Sequence, residues 1–190
     1  LRDIGLTEEQ IGNNLIFGGG KVGDTMEIAM RPDDAKEWFG ALPPDLSVIA
    51  RARSSADGSG ADWLYTYLRS YYRDKTRPTG WNNAVFPNVG MPHVLWEWQG
   101  SRGAVIEEIK AAPDEHAGEG HSFVKSEVTI DNAGNRSEKT EKIEGGHPHE
   151  GTSLTLTPAT GGSMSQAVYD EKVANLVAYL TYMSDPSAKT

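Results

Sequence analysis

The sequence predicts a mostly α-helical domain with long loops and one small β-hairpin insertion. Three observations carry that expectation. Several short segments begin with helix-capping residues and end at Gly or Pro. The C-terminal stretch has a long apolar period of helical type. Gly (21) and Pro (10) are abundant among the 190 residues, which points to much loop.

Thr7-Glu8-Glu9-Gln10 is a capping box that opens a first short helix, and Gly18-Gly19-Gly20 closes that element. A second starts at Arg31-Pro32-Asp33-Asp34, with proline in its first turn and acids facing the positive end of the helix dipole. It carries Trp38 and Phe39 and stops at Gly40. Asp45, after Pro43-Pro44, suits the N-cap of a third helix with the apolar stripe Leu46, Ile49 and Ala50. Asp62 is read as the cap of a fourth, whose wide apolar face holds Trp63, Leu64, Tyr67, Leu68 and Tyr71.

Residues 74–100 are rich in Pro, Gly and Asn and are expected to lack regular structure. They nevertheless hold Trp81, Val85, Phe86, Val89, Met91, Val94, Leu95, Trp96 and Trp98. Apolar loops of this kind wrap a core or a ligand. Residues 101–162 turn charged and Gly-rich. Phe123 to Ile130 and Arg136 to Ile143 read as two strands around Asp131-Asn132-Ala133-Gly134, within a surface insertion at about 101–154 that is expected to be mobile at 111–121 and 144–152. Ser163 and Gln166 form a second capping box. Tyr169, Val173, Leu176, Val177 and Leu180 follow at helical spacing, and Pro186 lies just beyond.

A net charge of −9 argues against a nucleic-acid partner, because phosphate neutralisation needs Lys and Arg. With no cysteine, the chain itself offers no disulfide, thiolate metal site or cysteine nucleophile. No run approaches the ~18 apolar residues of a membrane span. The chain starts at Leu1 without a signal sequence, and both ends are expected to be cut ends of a longer protein. Hydrolase, metalloprotease and nucleotide-binding fingerprints do not occur.

Met91, between Gly90 and Pro92, reads either as a core gap-filler or as a soft thioether ligand for haem iron or copper. Arg51 and Arg53 point to different faces of a short helix, as a surface pair or with one turned to a buried anion. The histidines His93, His116, His121, His147 and His149 offer a second metal reading, centred on His147-Pro148-His149.

Three ordered segments resemble the cytochrome c1 family. They are Gly40-Ala41-Leu42-Pro43-Pro44-Asp45-Leu46-Ser47 with Ala50-Arg51-Ala52-Arg53, then Asp62-Trp63-Leu64-Tyr65 to Arg69-Ser70-Tyr71-Tyr72, then Val85-Phe86-Pro87-Asn88-Val89-Gly90-Met91-Pro92. Met164-Ser165-Gln166 with the closing helix also matches in order. The likeness covers residues 1–100 and 155–186 and is to the bacterial branch.

What the resemblance implies is a c-type cytochrome fold and a covalently held haem c. Met91 would be one axial iron ligand and Arg53 would contact a haem propionate. Pro43 and Pro44 would pack beside the ring, with Ile49 and Trp63 also at the cofactor. Trp63 stands where family members commonly have tyrosine. The implied role is electron transfer within a ubiquinol–cytochrome c oxidoreductase, with no catalytic residue of the chain's own. The implied partners are cytochrome b, the Rieske iron–sulfur protein and a soluble cytochrome c. The implied location is the periplasmic face of the inner membrane, held by a C-terminal anchor. The Cys-x-x-Cys-His attachment motif is not in the chain and is expected before Leu1. A haem-free interaction domain and a His-rich metal-binding module are the alternatives.

Overall fold

The computed structural model describes residues 5–24, 28–111, 123–143 and 149–185. It falls into two units, residues 1–44 and 45–190. In the first, α1 (Glu8–Asn14) starts at the expected capping box: the Gln10 amide donates to Thr7 Oγ1 and the Thr7 amide to Gln10 Oε1. α2 (Pro32–Phe39) ends at Gly40, whose φ of 72° is the left-handed conformation that glycine adopts without a Cβ penalty.

The second unit has a helical part and a sheet. α3 (Ile49–Ala52) is a single turn, and α4 (Gly60–Leu68) is capped by Ser59, not by Asp62. Ser59 Oγ accepts from the Asp62 amide and donates to the Asp62 carboxylate, so Asp62 completes the cap from inside the helix. Asp45 caps no helix either. Its carboxylate accepts from the Ser47 amide in a local turn, which competes with helix and delays α3 to Ile49.

The segment expected to be irregular, 74–100, contains β2 (Trp81–Asn83) and the turn α5 (Trp96–Gln99); β2 pairs with β1 (Tyr71–Arg73) just before it, where Tyr71 lies in a strand and not on the fourth helix. β3 (Gly100–Ser101) pairs with β8 (Thr160–Gly161) and brings the chain back to α6 (Gln166–Ser184). The cap of α6 is Ser165 rather than Ser163. Tyr169, Val173 and Val177 form its buried stripe, one residue per turn, while Leu176 is largely exposed. That stripe packs with Ala50, Leu64, Tyr67, Leu68, Tyr71, Trp81 and Val89 in the main core. Arg69 clamps Asp170 through Nε (2.6 Å) and Nη2 (2.9 Å), and Tyr169 donates to the Leu68 carbonyl (2.8 Å), which fixes α6 against the end of α4.

Residues 104–156 overturn the mostly helical expectation. β4 (Ala104–Ala111), β5 (Phe123–Ile130), β6 (Arg136–Ile143) and β7 (Gly151–Leu156) form one antiparallel sheet in the order β6-β5-β4-β7. The structure is 31% helical and 26% strand, an α-plus-β chain. The hairpin β5–β6 has the bounds that its residues suggest. β4 and β7 escape the sequence reading because Glu107-Glu108 and the Ser/Thr-rich 151–156 look like loop. Both faces of the sheet are largely solvated, so alternation of apolar and polar residues is weak. The largest apolar cluster lies at one end, where Ala104, Val128 and Ile130 bury with Tyr72 and Ile106, Leu154 and Leu156 pack around them; Phe123 is buried at the other end. Gly151 and Thr152, expected in a mobile stretch, lie in β7; residues 112–121 and 144–148 of the two stretches lie outside the described residues.

The sheet is joined to the helical part at Gly103 and Asn132. Asn132 Oδ1 accepts from the Gly103 amide (2.9 Å) and from Thr157 Oγ1 (2.9 Å), while its Nδ2 donates to Thr160 Oγ1 (2.9 Å). A Cβ on Gly103 would collide with the Ile130 carbonyl oxygen, so only glycine permits this approach.

Candidate functional site

The loop that carries Met91 is shaped by two adjacent asparagines at the end of β2. Asn83, fully buried, donates from Nδ2 to the Tyr67 carbonyl (2.8 Å) and accepts on Oδ1 from the amides of Val85 (2.9 Å) and Phe86 (3.1 Å). Asn82 Oδ1 accepts from its neighbour's amide and from the Asn88 amide (2.8 Å), while its Nδ2 donates to Asp74 (3.0 Å). Asn88 has a φ of 62°, a conformation that asparagine tolerates better than most residues. Side-chain amides therefore replace the ladder that a strand or helix would supply.

Below the loop runs a continuous series of ring contacts. Trp63 stacks on Tyr67 at 4.8 Å, Tyr67 meets Tyr71 edge-on at 5.4 Å, and Tyr71 stacks on His93 at 4.7 Å. Trp81 meets His93 edge-on at 5.0 Å. Tyr67 and Tyr71 share a hydroxyl hydrogen bond of 2.6 Å, and Tyr71 Oη donates to the Met91 carbonyl at 3.3 Å. Burial pushes both phenols well above the ordinary tyrosine range, so they stay protonated donors at any physiological pH. Tyr71 thus holds the backbone of Met91 through its carbonyl.

Met91 itself is 38% exposed. Phe86 and Val94, on the same loop, are also exposed. Arg53 lies with its guanidinium 4.3 Å above the Trp63 ring and 5.3 Å from that of Phe86. The other arginine, Arg51, turns to solvent and pairs with Asp185 at 2.8 Å. Ile49 packs against the edge of the main core, and Trp63 is half-buried there. Pro43 and Pro44 end the first unit and are exposed.

The histidines divide. His93 is 3% exposed between Tyr71 and Trp81, with no hydrogen-bond partner for Nε2 among the described residues. Burial, aided by the positive charge of Arg102, pushes its pKa down to about 4, so it is neutral near pH 7. His149 is exposed, and His116, His121 and His147 lie outside the described residues. Among the described residues, no group of three or more His, Cys, Asp or Glu could hold a metal ion.

Tested against a haem, these residues fit one face of it. A soft sulfur, apolar neighbours and a nearby cation are the donor set that iron, ring and propionate need. The chain has no cysteine to supply a thioether bond. Tyr67, Tyr71, Asn82, Asn83 and His93 form the support of the Met91 loop and were not singled out as site residues in the sequence. The Asn-Asn pair at the end of a short apolar run was the one available signal.

Residues 12–102 match the model of the Cytochrome C1 family. The chain is 39% identical over 186 residues, 98% of its length, to the ammonia monooxygenase gamma subunit of Nitrosomonas europaea, of which it covers 58%. It is 37% identical over 185 residues, 97% of its length, to cytochrome c1 of Allochromatium vinosum, of which it covers 59%. The chain thus resembles the cytochrome c1 family, by the family model over residues 12–102 and by its likeness to a cytochrome c1 over nearly its whole length. It spans somewhat under three-fifths of the length of the curated relatives that it matches.

Proposed function

We propose that this chain is the haem domain of an electron-transfer protein of the cytochrome c1 type, residues 1–190 forming one such domain with an insertion at about 101–154. The observation that carries the reading is Met91: a partly exposed methionine in a loop whose backbone a buried tyrosine holds, with Arg53 on the neighbouring helical turn. The family match and the relative named cytochrome c1 support it.

In this reading Met91 would hold the haem iron through its thioether and Arg53 would offer a positive charge to a propionate. A haem held there would supply a one-electron iron couple, with its potential raised by thioether ligation. Ile49, Phe86 and Trp63 exclude water from the ring, and Pro43 and Pro44 pack beside it. Tyr71, by fixing the Met91 carbonyl, sets the position from which the sulfur reaches the metal. The reading requires haem c to be attached by cysteines outside these 190 residues.

The finer role is accepting an electron from a Rieske iron–sulfur protein and passing it to a soluble cytochrome c, beside cytochrome b in a bc1-type complex. The negative charge suits a basic acceptor by electrostatic steering. The periplasmic face of a bacterial inner membrane is the corresponding location, although among the described residues no helix is long and apolar enough to cross a membrane. The other relative carries a different complex in its name, so copurification of the native protein is the direct test of partners.

Reduced-minus-oxidised spectra and potentiometry of the full-length protein test the haem reading. A haem c spectrum is expected, and Met91→Leu should lower the potential by on the order of 0.1 V, within the ~0.8 V range that axial ligands span. An unchanged potential sinks the ligand assignment. A spectrum without haem leaves a haem-free interaction domain.

A further inference from the structure

The outer strand of the sheet carries a charge pattern that nothing in the haem site uses. β6 reads Arg136-Ser137-Glu138-Lys139-Thr140-Glu141-Lys142-Ile143 and lies at the edge of the sheet, paired only with β5 among the described residues. Its residues are exposed from Arg136 to Lys142. Open edges of this kind template pairing with another strand, and natural proteins usually block them with charge. Here the charges reverse sign across Thr140: Lys139 and Glu141 flank it, and Glu138 and Lys142 lie one step further out.

We infer that β6 pairs antiparallel with β6 of a second copy of this chain, about a twofold axis at Thr140. The axis of such a pair stands normal to the sheet, so each face continues onto the same face of the second copy. On one face Glu138 then opposes Lys142 of the second copy, and on the other Lys139 opposes its Glu141. The twofold doubles these to four unlike-charge pairs. Cross-strand partners of this kind lie within contact distance and stabilise the pairing, while like charges oppose it.

The same symmetry excludes the neighbouring registers. Only registers that move by two residues keep the faces matched. Centring the axis on Lys139 sets it against itself and Arg136 against Lys142. Centring on Glu141 sets two carboxylates together, and centring on Glu138 does the same. Thr140 is thus the centre at which the edge attracts its own copy.

The β5–β6 pair follows the rule that the dimer extends, while the β4–β5 register sets Glu107 opposite Glu127 with Lys125 diagonal to Glu107. Lys125 pairs with Glu107 at 2.6 Å, and in the β5–β6 register Glu127 opposes Lys139 and Lys125 opposes Glu141. A second β6 laid alongside adds the next column of the same alternation, giving one continuous sheet across both copies.

These 190 residues hold no cysteine, so a cysteine placed at the axis can be assigned by peptide mapping. In the full-length protein, Thr140→Cys should give a disulfide-linked dimer on mild oxidation, with the 140–140 link identified by peptide mass spectrometry. Ser137→Cys, which the pairing sets opposite Ile143 of the second copy, should not self-link. On the Thr140→Cys background, Glu138→Lys alone and Lys142→Glu alone should each lower the yield at least about fivefold. Inside the sheet these two positions oppose Val128 and Val124, so the substitutions place no like charge beside them. Mixing the two variants should restore cross-linking between unlike copies, an outcome that misfolding of either cannot produce. Equal linking at 137 and 140, or no rescue on mixing, overturns the inference.

Discussion

In the helical part of residues 45–190, large side chains converge. Trp63, Tyr67, Tyr71, His93 and Trp81 touch ring to ring, and Asn82, Asn83 and Tyr71 hold the Met91 loop through hydrogen bonds to its backbone. The four-stranded sheet is built the other way. Its main apolar cluster lies at the end near Tyr72, and along β6 charged side chains alternate in solvent. Stability in the first region comes from burial and satisfied polar groups, where one missing atom leaves a neighbour unpaired. In the second it comes from backbone ladders, so single side chains matter little to the fold and are free to specify contacts.

The sharpest way to break this contrast is at Asn83. Asn83→Ala removes three hydrogen bonds and strands a buried carbonyl and two amides, so we expect a loss of roughly 3–4 kcal/mol in urea denaturation. A loss below about 1 kcal/mol would show that the loop does not depend on the side chain. Next comes the junction. Gly103→Ala forces the backbone away from the Ile130 carbonyl and should cost roughly 2–3 kcal/mol, with hydrogen exchange rising in both β4 and β5.

Tyr169→Phe keeps the ring and removes only the donor to the Leu68 carbonyl, for a cost of about 1 kcal/mol in the same denaturation assay. A pH series addresses Asp74. Burial raises its pKa, but hydrogen bonds from Thr76 and Asn82 outweigh this and hold it below the ordinary carboxylate value. The folded protein therefore keeps the charge after the unfolded chain has taken up a proton. The stability it contributes is present above about pH 4 and is lost as pH falls through the folded value. Asp74→Asn should flatten the stability curve below pH ~4 relative to the parent; identical curves would assign the acid sensitivity to other groups.

The smallest effect is expected in the sheet. Lys125→Met deletes the exposed pair with Glu107 and should leave the urea midpoint where it was. A clear destabilisation there would erase the distinction between the two regions.

Legibility in the sequence follows the same division. The β5–β6 hairpin could be read because Asp131-Asn132-Ala133-Gly134 is turn chemistry between two β-prone runs, and both strands fall at the expected bounds. β4 and β7 could not, because a strand exposed on both faces has no apolar period to announce it. The caps at Thr7 and Gly40 were local and legible. Those of α3, α4 and α6 shifted by a few residues, since Asp45, Asp62 and Ser163 each had a capping-competent neighbour or a competing local turn. Met91 and Arg53 stood out through their motifs, while Tyr71 and His93, far from each other in the chain, meet only through the fold.

The sequence alone determined the charge balance, the absence of cysteine, the hairpin and the family likeness, because each is a property of composition or of neighbouring residues. The tertiary structure decided that the chain is α plus β and that Met91 is exposed over a buried tyrosine. It also decided that β6 is an edge strand, paired only with β5 among the described residues. Each of these depends on which distant segments pair and which atoms are covered, and loop closure over tens of residues leaves no local trace of either.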